Sequence, residues 1–278
     1  MDILMNLLLW TTEMEDDMGA VVEELKRTGF DGVEVPVFST DLRKWQGWSR
    51  RLDDLGLSRT AVTFCGADDN PISPSPAVRQ RAVDRLRRLT DCSHALGATI
   101  LSGPIHSALN GFTGRPATAE EWRWAVESTR QVARHAATYG MTLGIEYLNR
   151  FENYLLSCTA DTLRFVRDVG HPGCRVMFDT FHANIEEKSI PDAFRQCAPE
   201  VVHVQVSEND RSTPGRGHIP WNAFFDALRE TGYAGSLSIE AFGRRQPDLA
   251  AATKIWRPMF DSEAQLARDG LAFVRDRI

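Results

Sequence analysis

The sequence has no apolar run long enough to cross a membrane. A membrane-spanning helix needs about 20 consecutive apolar residues, whereas the most apolar stretch near the N-terminus covers only residues 3–10. This stretch also lacks the basic start and the small-residue cleavage site of a secretory signal peptide. We therefore expect a cytoplasmic protein without membrane contact, and we interpret residues 3–10 as a buried strand.

Excess positive charge and paired cysteines are also missing. The net charge is −6, and a nucleic-acid surface usually needs clustered positive charge, so we expect no nucleic-acid partner. The five cysteines are odd in number and show no CxxC spacing, which argues against a disulfide framework or a structural zinc site. Charged residues make up an ordinary 25% of the chain, and this excludes the disordered and fibrous classes.

Strand-like apolar runs alternate with helical patterns along the whole chain. The predicted strands are residues 3–10, 31–37, 57–64, 98–104, 141–148, 174–180, 201–208 and 235–242. Repeated strand–helix units imply a parallel sheet with right-handed crossovers. Eight units in a chain of this length match a closed barrel. We predict an α/β fold, a (β/α)8 TIM barrel, as a single domain over residues 1–278.

An open, doubly wound sheet is the alternative arrangement of such units. It would bind its ligand through a glycine-rich first turn, and the first turn here, at residues 10–12, contains no glycine. Capping boxes predict two helix starts, one at Thr12 and Glu15 and the other at Thr118 and Glu121.

Strands five to eight each carry a polar residue near the carboxyl end. These residues are Glu146, Asp179, Gln205 and Glu240. A parallel barrel collects the carboxyl ends of its strands on the face that carries the chemistry, so these side chains should converge. Three carboxylates in a partly buried mouth repel one another and lose hydration. A divalent cation relieves this conflict, and oxygen ligands suit Mn²⁺ first, with Mg²⁺ or Co²⁺ as alternatives.

The segments around these residues resemble a known family. They are GIEYLNRFENYL (144–155), MFDTFHANIEE (177–187), HVQVSENDR (203–211), PGRGHIPW (214–221) and SIEAFG (238–243). They are similar to the D-tagatose 3-epimerase and D-allulose 3-epimerase group of the xylose-isomerase-like barrel superfamily. The resemblance covers nearly the whole chain in order, from NLLLWT near the start to IWRPMF near the end.

The resemblance implies roles for individual residues. Glu146 and Glu240 would be both metal ligands and the catalytic acid/base pair, and Asp179 would be a further ligand. The residues that it places against the substrate, near its carbonyl end, are Glu152, His182 and Arg211. Trp10 is a candidate wall of the sugar site, because it ends the first predicted strand at the same face.

Gln205 is a departure from the family pattern. The family usually has a metal-binding histidine at this position, while His203 matches its other histidine. A glutamine carbonyl oxygen ligates Mn²⁺ or Mg²⁺ well, so Gln205 remains the predicted fourth ligand. Related barrels that dehydrate 3-dehydroshikimate resemble this site in accepting glutamine there.

The expected activity is therefore metal-dependent C3 epimerisation of a ketose, with two glutamates moving a proton through an enediolate. A lyase of the 3-dehydroshikimate dehydratase type and an aldose–ketose isomerase are the alternatives, because the same site serves both reactions. A non-catalytic sugar-binding barrel also stays open. The expected partner is a small-molecule sugar. Similar proteins are commonly homodimers or homotetramers, and we expect one of these assemblies here.

Overall fold

The computed structural model describes all 278 residues. It shows a closed barrel of eight parallel strands in chain order. The strands are β1 (Ile3–Asn6), β2 (Gly32–Pro36), β3 (Ser58–Val62), β4 (Ile100–Gly103), β5 (Thr142–Glu146), β6 (Cys174–Asp179), β7 (Val201–Ser207) and β8 (Ser236–Glu240). The predicted barrel is confirmed. Since β1 pairs with β8 and closes the sheet, the open doubly wound alternative is wrong.

Ten α-helices accompany the strands. They are α1 (Met18–Thr28), α2 (Leu42–Asp54), α3 (Pro76–Leu96), α4 (Ala119–Ala137), α5 (Thr159–Val169), α6 (Thr180–Glu186), α7 (Ile190–Cys197), α8 (Trp221–Glu230), α9 (Pro247–Thr253) and α10 (Glu263–Arg275). None of them has the length and apolar character that a membrane span requires.

The two predicted capping boxes have different outcomes. The Thr118 hydroxyl accepts the backbone N–H of Glu121 at 3.1 Å, and the Glu121 carboxylate accepts the backbone N–H of Thr118 at 2.7 Å. Helix α4 therefore begins as predicted. The box at Thr12 and Glu15 is wrong, because neither residue is helical and α1 begins only at Met18.

Strand β1 is shorter than predicted, and the reason is a local side-chain contact. The Asn6 side-chain oxygen accepts the backbone N–H of Leu8 at 2.9 Å. This bond caps a short 3-10 turn over Leu7–Leu9, which ends the strand. Trp10 consequently follows a turn and is not the last residue of the strand.

The apolar core lies between the outer faces of the strands and the helices. Phe178 of β6, for example, packs in parallel on Phe224 of α8 at 5.9 Å and edge-on against Phe194 of α7 at 5.3 Å. Because successive side chains of a strand point to opposite faces, the next residue, Asp179, points into the barrel. The aromatic packing outside thus holds the strand that presents a carboxylate inside.

Candidate functional site

Strands β5 to β8 bring the four predicted ligands to one end of the barrel. Glu146, Asp179 and Glu240 are the last residues of β5, β6 and β8. Gln205 lies on β7, directly opposite Asp179 in the parallel register. All four side chains are buried. The strand ends therefore form a polar mouth that water scarcely reaches.

Asp179 ends one element and begins the next. Its Oδ1 accepts the backbone N–H of Phe181 at 2.9 Å and caps α6, while its buried Oδ2 has no hydrogen-bond partner. Helix α6 then places His182 beside it, with Nε2 3.4 Å from Asp179 Oδ2 and 3.4 Å from Glu146 Oε1. One ligand atom from each of these three side chains lies within 4.8 Å of the other two. The group is close enough to hold a metal ion.

The hydrogen bonds of His182 decide what its ring contributes to this group. The backbone N–H of Asn149 donates to His182 Nδ1 at 2.9 Å. A neutral imidazole that accepts at Nδ1 carries its proton on Nε2. Burial and the nearby Arg211 lower the pKa of His182 to about 3, so the ring is neutral. His182 therefore turns an N–H donor towards the mouth, and the oxygens around it are the atoms that could hold a metal.

Arg211 is the buried cation of the site. Its Nη2 lies 3.1 Å from Glu152 Oε1, and its Nη1 lies 3.4 Å from Glu240 Oε2. The guanidinium also lies over the rings of Phe181 and Phe242, at 3.9 and 4.7 Å from their centroids. Its backbone has φ 60°, a left-handed conformation that non-glycine residues rarely adopt. These contacts hold a strained residue in place, which is typical of functional sites.

Glu208 anchors the loop that carries Arg211, and the sequence did not single it out. Its buried carboxylate accepts the backbone N–H of Gly215 at 2.7 Å and the indole N–H of Trp221 at 2.8 Å. The backbone N–H of Arg211 donates to the Glu208 carbonyl at 2.9 Å. The PGRGHIPW segment is thus folded back on Glu208 and fixes the arginine.

The carboxylates of the mouth differ in their affinity for protons. Burial, together with the charge of Glu240, raises the pKa of Glu146 well above its usual value. Burial and the charge of Asp179 do the same for Glu240, and burial raises the pKa of Asp179 to about 7. Burial also acts on Glu152, but the charge of Arg211 outweighs it and lowers the pKa of that carboxyl. Glu152 is ionised, while the other three compete for protons or for a cation.

Gln205 presents an unpartnered oxygen to this mouth. Its Nε2 donates to Glu34 Oε2 at 2.9 Å, whereas its buried Oε1 has no hydrogen-bond partner. His203, two residues earlier, also contacts Glu34, with Nε2 2.8 Å from Oε1. Burial raises the pKa of Glu34, but the charge and hydrogen bond of His203 and the hydrogen bond of Gln205 lower it overall. Sequence reasoning missed Glu34, whose only signal is an acid between two valines of β2.

A hard divalent cation fits these donors. Asp179 Oδ2 and Gln205 Oε1 are buried acceptors without partners, and such atoms are rare in folded proteins unless a bound group satisfies them. Burial, together with the charges of neighbouring carboxylates, raises the pKa values of Glu146 and Glu240 despite the opposing charge of Arg211. Carboxylate and amide oxygens are the ligands that Mg²⁺ and Mn²⁺ prefer.

Two predicted site residues occupy positions at the edge of this cluster or apart from it. Glu240 is not in the tight group, because its carboxylate is held by Arg211 and, at 3.5 Å, by Asn6 Nδ2. Trp10 lines a groove of about 210 Å³ between residues of α1 and α10, and its carbonyl accepts Gln246 Nε2 at 2.7 Å. Trp10 thus contacts α1 and α10 in this structure, and its role as a wall of the sugar site stays a prediction.

Comparison with known proteins finds sugar epimerases that are similar to this chain over nearly its whole length. Residues 22–277 match the family described as xylose isomerase-like TIM barrel. The D-psicose 3-epimerase of Ruminiclostridium cellulolyticum is 33% identical, over 95% of this chain and 94% of that protein. The L-ribulose 3-epimerase of Mesorhizobium japonicum is 31% identical, over 96% of this chain and 90% of that protein.

A solved structure of a similar protein supports the same grouping. The D-allulose 3-epimerase from Methylomonas sp. superposes with a TM-score of 0.94 at 26% identity, and the match covers 100% of this chain and 98% of that one. These three relatives match over nearly their full length and are ketose 3-epimerases, which supports a sugar epimerase function.

Proposed function

Since the chain belongs to the xylose isomerase-like TIM barrel family, we propose that it is a divalent-metal-dependent epimerase that inverts C3 of a ketose. The observation that carries the proposal is the pair of buried glutamates at the ends of β5 and β8. The charge of Glu240 acts on Glu146, and burial raises the pKa of both carboxyl groups. Two carboxyl groups, one to remove a proton and one to return it, are what this reaction requires.

The chemistry begins at the carbon next to the ketone. The hydrogen on C3 of a ketose is weakly acidic because the C2 carbonyl accepts the electron pair that it leaves behind. One glutamate, as the carboxylate, removes this proton from one face of the carbon. The other glutamate, as the acid, returns a proton to the opposite face, and the configuration at C3 is inverted. Each turnover exchanges the protonation states of the two residues, so the glutamate that accepted the proton is the acid of the reverse reaction.

The predicted ligands Glu146, Asp179, Gln205 and Glu240 would hold the cation, with Mn²⁺ as the favoured ion and Mg²⁺ or Co²⁺ as alternatives. A bound divalent ion would stabilise the negative charge that develops on the substrate oxygens as the proton leaves. The support for this set is its donor chemistry and the two unpartnered oxygens of Asp179 and Gln205.

The remaining polar side chains suit the carbonyl end of the sugar. His182 directs its Nε2–H into the mouth, and Arg211 brings a guanidinium that burial shields from water. Hydrogen-bond donors aimed at developing negative charge are most effective where water is excluded. Glu152 holds Arg211 through its ion pair and, as an ionised carboxylate, accepts hydroxyl groups of the substrate.

The test is turnover of a panel of free ketoses with Mn²⁺, and chromatography identifies the products. We expect the C3 epimer, with activity lost in Glu146→Gln and in Glu240→Gln. Glu121→Gln is the matched control, because Glu121 is a buried, hydrogen-bonded carboxylate at the start of α4 and not in the cluster. An aldose product would favour the isomerase alternative. Incubation with 3-dehydroshikimate tests the lyase, whose aromatic product absorbs in the ultraviolet.

A further inference from the structure

Glu34 forms the floor of the polar mouth and joins β2 to three other strands. Its carboxylate is fully buried and contacts donors from β1, β4 and β7. These donors are Asn6 Nδ2 at 2.9 Å, Ser102 Oγ at 3.3 Å, His203 Nε2 at 2.8 Å and Gln205 Nε2 at 2.9 Å. Among them, only Gln205 is one of the four predicted ligands.

We propose that Glu34 is a positioning residue that turns the Gln205 amide so that its oxygen faces the cation site. The two ends of an amide side chain have nearly the same shape, and hydrogen bonding decides which end points where. An ionised carboxylate accepts hydrogen bonds and donates none. Only the NH₂ end of Gln205 can therefore face Glu34, and the oxygen is left on the opposite side.

The lack of a hydrogen-bond partner for Gln205 Oε1 supports this orientation. The oxygen is buried, and no protein group donates to it. Turning the amide over would place this oxygen against the Glu34 carboxylate and a donor towards the cation site, and both contacts would be repulsive. Glu34 thus makes one orientation much better than the other. The contact with Glu34 therefore leaves the amide oxygen of Gln205 facing the cation site, at a position where the family usually has an imidazole.

Glu34 also orients a second side-chain amide, that of Asn6. Its Nδ2 donates to the same Oε2 of Glu34, and its oxygen is fixed by the backbone N–H of Leu8. Asn6 Nδ2 also approaches Glu240 Oε1 at 3.5 Å. Through hydrogen bonds, Glu34 therefore contacts Gln205 directly and Glu240 by way of Asn6, while its charge also acts on Glu240. We expect the direct contact to dominate the effect of Glu34 on metal binding.

The experiment is a double-mutant cycle read by calorimetric titration with Mn²⁺. Glu34→Ala should weaken Mn²⁺ binding about 10- to 100-fold, as loss of a group that orients a ligand typically does. In the Gln205→Ala background, the same substitution should change the affinity by less than about twofold, because the residue through which it acts is gone. Glu121→Ala is the control for loss of a buried carboxylate and should leave the affinity unchanged.

A conservative variant separates positioning from a general loss of structure. Glu34→Gln keeps a carbonyl oxygen that accepts from Gln205, and His203 can accept the new amide N–H once its proton moves to Nδ1, which has no partner. We expect this variant to recover most of the Mn²⁺ affinity. An equal loss from Glu34→Ala in both backgrounds, or no loss in either, would overturn the proposal.

A measurement on the unmodified protein covers the case in which Glu34→Ala does not fold. The side-chain amide of Gln205 is assigned by NMR from the signal that Gln205→Ala lacks. Its NH₂ protons should exchange slowly with solvent, and the signal should shift when Mg²⁺ binds. Rapid exchange of the NH₂ group, or no shift on saturation with Mg²⁺, would contradict the orientation.

The inference rests on the metal site of the proposed function, but the two fail in different ways. A protein that binds Mn²⁺ with the expected coupling between Glu34 and Gln205 but epimerises no ketose would contradict only the proposed reaction. If the protein is a ketose 3-epimerase but Glu34 and Gln205 act independently on Mn²⁺ affinity, only the positioning role of Glu34 is contradicted. Absence of any binding of Mn²⁺, Mg²⁺ or Co²⁺ would contradict both.

Discussion

The backbone N–H of Asn149 donates to His182 Nδ1 at 2.9 Å, and this bond fixes the proton of the ring on Nε2. The position of His182 alone would allow it to be either a metal ligand or a hydrogen-bond donor, because it lies as close to Asp179 and Glu146 as a metal ligand would. The bond from Asn149 decides between these roles. A ring nitrogen that carries a proton has no lone pair for a metal. His182 is therefore a donor to the substrate in our scheme, and the cation is held by oxygen.

The first prediction follows from this assignment. Mn²⁺ bound to the wild-type protein should show no directly coordinated nitrogen in pulsed electron paramagnetic resonance. His182→Ala should leave the spectrum unchanged but lower turnover about 10²- to 10³-fold, the usual effect of removing one donor to a developing oxyanion. A strong nitrogen coupling that disappears in His182→Ala would show that the ring is a ligand.

The two glutamates should be distinguishable by proton exchange. Each variant, Glu146→Gln or Glu240→Gln, keeps a carbonyl oxygen for the metal but no longer moves a proton. In D₂O, one variant should still exchange the C3 hydrogen of one epimer, and the other variant should exchange that of the opposite epimer. Mass spectrometry of each recovered epimer measures this. Normal turnover in either variant would refute the two-base assignment.

The stability of the metal-free protein should depend on pH through the crowded carboxyls. Burial raises the folded-state pKa of Asp179 to about 7, from an ordinary value of 3.8. The folded protein then binds a proton that the unfolded chain has lost, so the contribution of Asp179 to stability is fully present below about pH 4. It should decline as the pH rises and be gone above about pH 7.

Urea unfolding between pH 4 and pH 8 checks this dependence, with Asp179→Asn as the control that lacks the titrating group.

Free Mn²⁺ at 100 times its Kd should add about 2.7 kcal/mol to the free energy of unfolding. Removal of the metal with a chelator should reverse this gain and abolish turnover. Full turnover on the true substrate after chelation would contradict the metal dependence.

Gln205→His should change which metal the site prefers. An imidazole binds late first-row ions more strongly than an amide oxygen does, so Co²⁺, Ni²⁺ and Zn²⁺ should gain more affinity than Mn²⁺ or Mg²⁺. Calorimetric titration of each ion gives the comparison, and Gln205→Ala gives the baseline for an open position. If Gln205→Ala keeps full Mn²⁺ affinity while His203→Ala loses it, the fourth ligand is not Gln205.

Much of the fold could be predicted from the sequence because parallel barrel strands are buried on both sides and appear as apolar runs. Helix α2 was not predicted, since its apolar face of Trp45, Trp48 and Leu52 is scattered among charged residues. The end of β1 was misplaced by four residues for a different reason. Whether an asparagine within an apolar run continues the strand or caps a turn depends on the contact that its side chain makes.

The candidate site was predictable where a side chain stands at a strand end, and less so where it depends on packing. Glu146, Asp179 and Glu240 have this simple signature. Glu34 does not, because it lies within β2, and its importance arises only when the closed barrel brings β7 opposite to it. Likewise, the position of Trp10 near α1 and α10 depends on how the ends of the chain pack together.

The most direct test of the proposed reaction is to locate deuterium in the sugar. The protein is incubated with Mn²⁺ and a panel of ketoses in D₂O, and NMR identifies the labelled carbon. A C3 epimerase that uses two glutamates should place deuterium at C3, together with formation of the C3 epimer. Deuterium at C2 of an aldose product, or at C1 of the recovered ketose, would show an isomerase instead. A Mn²⁺-loaded protein that labels no ketose at any carbon would contradict the proposed function.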